Sequence, residues 1–285
     1  MLAVGCTQAV EPRGVIYRPE PAAVEEQPAP NKELTADEYE QMGDAGFRRD
    51  DLAAAYLNYG KALRLKPDRQ NLRCKRAWVL LAGGFNKEAA QEFRAVLEKH
   101  KNSAAALEGL GQALFQMKRY DEAGEQFKQA VALDARRWRS RNFLGIMYNQ
   151  AGDHTRAIEQ FKAALVVQPD SGIVYNNLGM AYSMTGDYAE AMAAFNKAYE
   201  LGAPREKTLN NFGLALAKTG NAAGAREVFV EAGDEARAYN NLGCVYLAQG
   251  DYEMALQSFE KAVSLAPDDA GTAEKNLKKC RRMMQ

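Results

Sequence analysis

The eight residues YNNLGMAY at 175–182 return as LNNFGLAL at 209–216 and again as YNNLGCVY at 239–246. In each copy an alanine follows the central glycine by twelve positions and an aromatic comes four further on: Ala191 and Phe195, Ala225 and Phe229, Ala255 and Phe259. Self-similarity of this kind constrains the fold more than composition does. Each period is one supersecondary unit too small to bury its own apolar face, so it must stack on its neighbours. Steps of 34 residues back from Gly179 land on Gly145, Gly111, Ala77 and Gly43, and one step forward lands on Gly213. The next step, to Gly243, is only 30. This phase divides the chain into seven copies: 36–69, 70–103, 104–137, 138–171, 172–205, 206–235 and 236–269. Pro67, Pro169 and Pro267 close three of them.

Within a copy, small or apolar residues fall at positions 4, 7, 8 and 11, which in the fifth are Tyr175, Leu178, Gly179 and Tyr182. That spacing predicts an amphipathic helix with its stripe turned inward. Gly152-Asp153, Gly186-Asp187 and Gly250-Asp251 then end the first helix through a residue tolerant of left-handed backbone and open a second with an N-cap carboxylate. The aromatic, Leu-Gly, Tyr, Ala-x3-Phe and Pro sequence resembles the tetratricopeptide repeat. The resemblance implies an all-α fold, a right-handed superhelical solenoid of seven helix pairs over 36–269. Residues 270–285, AGTAEKNLKKCRRMMQ, are expected to cap it with a helix that turns Ala273 and Leu277 inward. The basic residues near its end suit a helix C-terminus. The short sixth copy lacks about one helical turn, which predicts a shortened second helix there.

Chemistry is sparse. Neither histidine nominates an active site: His154 stands where sister copies hold Tyr120, Tyr188 and Tyr252, and His100 lies in a charged helix end. No phosphate-cradling, zinc-protease or hydrolase-elbow motif occurs. Cys6, Cys74, Cys244 and Cys280 have no metal-type spacing. A non-enzyme without cofactor or metal is expected. Lys plus Arg and Asp plus Glu balance at 37 each, so no global field draws the chain to nucleic acid. The run RRWRSR at 136–141 mixes cations with an aromatic, but it straddles a junction between copies and reads first as a solvated turn, with an acidic protein segment as the next reading.

If positions 4, 7, 8 and 11 pack inward, positions 2, 5, 6, 9 and 13 share another face. In tetratricopeptide proteins that face lines a concave groove for extended or helical peptides. Here it carries Asn142, Asn176, Asn210 and Asn240 at position 5, and Phe143, Asn177, Asn211 and Asn241 at position 6. An amide donates and accepts, so such a row can grip a peptide backbone. Position 9 adds Ile146, Met180, Leu214 and Cys244, with Met184 at position 13, which predicts an apolar half of the groove suited to a hydrophobic partner segment. Met180, Leu214 and Cys244 stand where a chaperone-binding carboxylate clamp would need polar residues.

Residues 7–35 carry five prolines and no helical or strand period, which reads as a linker. Ahead of it, Leu2-Ala3-Val4-Gly5-Cys6 resembles the end of a bacterial lipoprotein signal, with Cys6 as the lipidation site and the beginning of the signal upstream of residue 1. Lipid-anchored solenoids of this type resemble the TadD-type lipoproteins of tight-adherence pilus systems and, more distantly, the PilF/PilW pilotins. The lipobox and the short sixth copy followed by ARAYNNLGCVYLAQGDY at 236–252 carry the resemblance to the TadD type. It implies a non-catalytic adaptor on the periplasmic face of the outer membrane, assisting pilus assembly or secretin targeting. Thr7 after Cys6 favours the outer membrane by family habit. The alternatives are a soluble scaffold with an unmodified Cys6, or a regulatory module of another enzyme complex.

Overall fold

A computed structural model describes residues 34–284, so Cys6 and nearly all of the 7–35 segment lie outside the described residues. Fifteen α-helices and one short 3-10 turn make up the described chain, with no β-strand among them. They run as antiparallel pairs, one per copy: α1 (Ala36–Arg48) with α2 (Leu52–Leu65), α3 (Gln70–Ala82) with α4 (Asn86–Lys99), α5 (Ala104–Gln116) with α6 (Tyr120–Leu133), and α7 (Trp138–Gln150) with α8 (His154–Val167). Then follow α9 (Gly172–Thr185) with α10 (Tyr188–Glu200), α11 (Arg205–Lys218) with α12 (Ala222–Ala232), α13 (Glu235–Gln249) with α14 (Tyr252–Leu265), and the single helix α15 (Gly271–Met283). Each helix packs on the next in the chain, and the first helices of successive pairs, α3, α5, α7, α9, α11, α13 and finally α15, also touch one another. The result is a tetratricopeptide-type solenoid whose inner face is built from first helices.

Glycine at position 8 is what lets the two helices of a pair close up. A Cβ placed on Gly43 would meet the Tyr59 ring at 2.5 Å, and on Gly111, Gly145, Gly179, Gly213 and Gly243 it would meet Phe127, Phe161, Phe195, Phe229 and Phe259 at 2.5–2.7 Å. Those rings are essentially inaccessible to solvent. The second copy breaks the rule and compensates. Ala77 holds position 8, and the Phe93 ring instead lies against Gly109 of the next copy, where a Cβ would stand 2.2 Å from it. Phe93 meets Trp78 edge-on at 5.4 Å.

The predicted inward stripe is only part of what is buried. In α9 the buried residues are Gly172, Val174, Asn176, Leu178, Gly179 and Ala181, while Tyr175 and Tyr182 of the expected stripe are half-buried. A first helix is covered on one side by its own partner and on both flanks by neighbouring pairs, so its buried arc is wider than that of a helix lying on a single core. Positions 1, 3, 5 and 10 are the ones a one-stripe reading misses here.

The turns follow the predicted chemistry with one departure. Gly152, Gly186 and Gly250 have φ of 80°, 86° and 80°. Asp153 and Asp251 accept from the backbone N–H groups of Arg156 and Met254. The Arg156 side chain and its backbone N–H together hold the Asp153 carboxyl below the usual carboxylate range. Asp187 caps no backbone group; its Oδ2 accepts from the Thr185 hydroxyl at 2.6 Å. In the sixth copy α12 has 11 residues against 13 in α10, and Gly233-Asp234 is the whole connection to α13, where 201–204 joins α10 to α11. The four missing residues are thus split between helix and turn. At the C-terminal end α15 covers Phe259 with Leu277 and the fully buried Cys280, and Ala273 is also buried.

Candidate functional site

The asparagine row has a structural use that sequence spacing does not reveal. Asn177 Nδ2 donates to Asn142 Oδ1 at 2.9 Å, Asn211 to Asn176 at 3.1 Å, Asn241 to Asn210 at 3.1 Å, and Asn276 of the last helix to Asn240 at 2.9 Å. Position 6 of one copy therefore donates to position 5 of the copy before it three times in succession, and the capping helix adds a fourth such bond. Asn142 and Asn176 are buried by this arrangement, so they are not open to a ligand along the groove. Each such bond contributes about 1 kcal/mol net and fixes the stagger between neighbouring helices, and leaving one partner alone would cost more than the bond itself contributes.

The same pair of positions is filled differently toward the N-terminus. Glu40 pairs with Lys75 at 2.8 Å across the first junction. At the second junction the corresponding positions are Cys74, which is buried in the core, and Gly109, and the space beside that glycine holds the Phe93 ring. At the fourth helix pair Phe143 replaces the amide. It stacks on Phe127 with ring centroids 4.9 Å apart and an interplanar angle of 1°, and tilts against Phe115 at 5.0 Å. Phe143 therefore belongs to the core between the third and fourth copies. Opposite it Glu108, buried although acidic, accepts from the Ser140 hydroxyl at 2.9 Å and its backbone N–H at 3.3 Å, and has Arg137 at 3.8 Å.

That network changes the reading of RRWRSR. Arg136 is solvated and reaches Asp134, but Arg137 faces Glu108 and Asp134, Ser140 is fully buried, and Arg141 donates to the Ala135 carbonyl. Much of the run is the clamp of one junction, with Arg139 left over the Trp138 ring at 4.6 Å. His154 is half-buried, its Nδ1 2.7 Å from the Asn149 side-chain oxygen, and His100 is an exposed C-cap.

The apolar half of the predicted groove does come together. Met180, Met184, Leu214 and Asn211 line one pocket with Ser183, Tyr188 and Lys218, a cavity of about 210 Å³ between the fifth and sixth copies. Met184 is 62% exposed and Leu214 43%, while Met180 is partly buried against the cluster of Ala191, Phe195 and Ala215. Ile146 lies farther along, packed against the core around Phe161. Cys244 is open to solvent on one side and accepts a weak bond from Asn276 Nδ2 at 3.5 Å. Desolvation by its neighbours raises its thiol above the ordinary range, with the Lys279 charge opposing, so it is a wall of the groove and a poor nucleophile. Burial pushes the Cys74 thiol up to about 11.

Sequence profiles described as tetratricopeptide repeat match residues 74–138, 139–202 and 236–269, together more than half of the chain. No curated protein matches it in sequence. Among solved structures it is similar to a tetratricopeptide repeat protein from Parabacteroides merdae, at 20% identity and a TM-score of 0.55, covering 86% of this chain and 98% of that one. It is also similar to PilF of Pseudomonas aeruginosa, at 19% identity and a TM-score of 0.57, covering 87% and 97%. YrrB, a tetratricopeptide protein with an unusual peptide-binding site, aligns at 23% identity with a TM-score of 0.53 over 65% of this chain and 99% of its own. Identities this low carry the fold, which is the same helix-pair stack in all three. No enzyme family is among the sequence profiles matched. With the repeat phase, the inter-pair ladder and the profiles in agreement, the chain belongs to the tetratricopeptide repeat family.

Proposed function

We propose that this protein is a non-catalytic adaptor that holds a protein segment in its inner groove, and that it does so as a lipid-anchored component assisting assembly of a pilus or secretion machine at the outer membrane. The observation that carries the binding part is the open apolar pocket formed by Met180, Met184 and Leu214. Met184 and Leu214 are exposed beside the partly buried Met180, and an exposed apolar surface with a flexible thioether is characteristic of an interaction site. Tetratricopeptide proteins bind peptide or protein partners in a groove of this kind. Support for the pilus role comes from the resemblance of the lipobox-like start and the short sixth copy to TadD-type lipoproteins, and PilF has the same solenoid fold.

Introducing Met184→Asp together with Leu214→Asp should lower binding of the cognate secretin or pilus-assembly subunit by about 10- to 100-fold, about 1.4–2.7 kcal/mol, without loss of helicity. Both side chains are exposed, so the charges cost the fold little; Met180 is a poorer choice because it also packs against the buried cluster around Phe195. Undiminished binding in a titration of the purified proteins would place the site elsewhere, and no binding of any pilus or secretion subunit by the parent would end the assembly reading. For the anchor, Cys6 followed by a proline-bearing segment is arranged as a lipidated residue and its tether would be. Cells expressing the gene with its natural upstream region should incorporate radiolabelled palmitate into the protein, and Cys6→Ser should abolish the label. Equal labelling of both forms would remove the lipoprotein reading.

A further inference from the structure

The inner face has a second pocket, which the repeat pattern does not single out. Phe47, Trp78, Leu81, Gln112 and Arg139 line a cavity of about 420 Å³ that spans the first four copies. Its make-up repeats that of the pocket at Met180 and Leu214. Each has apolar walls with exposed members, Phe47 in one and Met184 in the other, and each has a single cation at its edge, Arg139 and Lys218. No carboxylate lines either pocket. Neither cation forms an ion pair among the described residues; Arg139 has only the Trp138 ring beneath it. Farther along, Lys279 stands close enough to Cys244 for its charge to act on the thiol, again with no acidic partner among the described residues.

The acidic residues of the first copy behave in the opposite way. Asp37, Glu40 and Asp44 are all neutralised within the chain, by Arg69 and Lys75. The groove therefore offers two apolar seats, each with an unneutralised positive charge beside it, in a chain whose total charge is zero. We propose that the groove holds one acidic protein segment, whose apolar side chains fill both pockets and whose carboxylates meet Arg139 and Lys218. This rests on the groove reading above and goes further by fixing the occupant's chemistry. An Arg or Lys left beside an apolar seat favours a carboxylate at that point and repels a basic segment of equal hydrophobicity, which adds selectivity to the apolar fit. The ladder occupies the side-chain oxygens of Asn142, Asn176 and Asn210, which leaves charge and apolar shape as the main means of selecting a partner.

Panning a display library of random peptides of about 16 residues against the full chain lets the groove select its own ligand; peptides of that length reach about 55 Å when extended. Enriched sequences should carry two apolar clusters with Asp or Glu beside each. Against the variant with Arg139→Glu and Lys218→Glu, the same peptides should bind at least about tenfold more weakly, and their binding to the parent should fall as salt is raised. Enrichment of apolar peptides without acidic bias, or binding that ignores the charge reversal, would overturn this inference and leave the groove itself standing. Enrichment that survives Met184→Asp with Leu214→Asp would instead remove the groove reading. Displacement of the selected peptides by a peptide of residues 19–31, PEPAAVEEQPAPN, would make the occupant this chain's own and overturn the proposal of a separate partner.

Discussion

Phe127→Ala is expected to lower stability by about 3–5 kcal/mol, the range for deleting a fully buried aromatic from a core that cannot collapse around the gap. The ring is completely inaccessible, its edge rests where Gly111 has no Cβ, and its face stacks on Phe143. Truncation would therefore open a void that reaches from within the third copy across to the fourth. The contacts on the far side come from another repeat, and in an array whose stability is a sum of repeat and nearest-neighbour terms the damage should concentrate at that junction. Urea unfolding should show an earlier transition, and amide hydrogen exchange should quicken in α5 to α8 before it does in α13 and α14. Uniform loss of protection along the chain would contradict this.

The second large effect is a small change in mass. Gly109→Ala should destabilise by up to about 3 kcal/mol, although alanine is the better helix former by about 1 kcal/mol. Its Cβ would stand 2.2 Å from the Phe93 ring. The ring has no retreat, because the place it would occupy by the rule of the other copies is taken by Ala77, and Trp78 lies at its edge. Ala77→Gly should therefore restore much of the loss when combined with Gly109→Ala, by reopening the seat that Phe127, Phe161 and their counterparts use. A double-mutant cycle measured by urea denaturation should show coupling of about 1–2 kcal/mol of favourable sign. Strict additivity would mean that Phe93 is not held between the two positions.

The comparison between the two phenylalanines shows how far the sequence could be read. Position 8 is glycine in six of seven copies, and its need for a close approach follows from the pattern alone. That Ala77 in the second copy is answered by Gly109 in the third does not follow, because a repeat frame compares equivalent positions and this exchange is between positions 8 and 6 of different copies. The same reason hid the amide ladder. Asn at positions 5 and 6 looked like a free row because the donor and acceptor that satisfy each other are 35 residues apart at two junctions, 31 across the short copy and 36 at the last. The buried Glu108 and the fully buried Ser140 were likewise invisible, since nothing in a run of arginines tells which members turn toward a neighbouring helix.

Of the groove, Met180, Met184 and Leu214 were legible because positions 9 and 13 share the groove face of a first helix and are apolar there, and the structure brings them into one cavity. The pocket of Phe47, Trp78 and Arg139 was not, because it draws on positions 12, 9 and 2 of the first, second and fourth copies.

The period of 34 residues, the Gly-Asp turns and the aromatic of each second helix determined by themselves that the chain forms stacked helix pairs, since every one of these is a local requirement of the backbone or of a pair's own packing. Which polar residues are consumed between repeats and which remain open to a partner was decided only by the tertiary structure. Those choices depend on the stagger between neighbouring pairs, and the stagger is set by contacts that no single repeat contains.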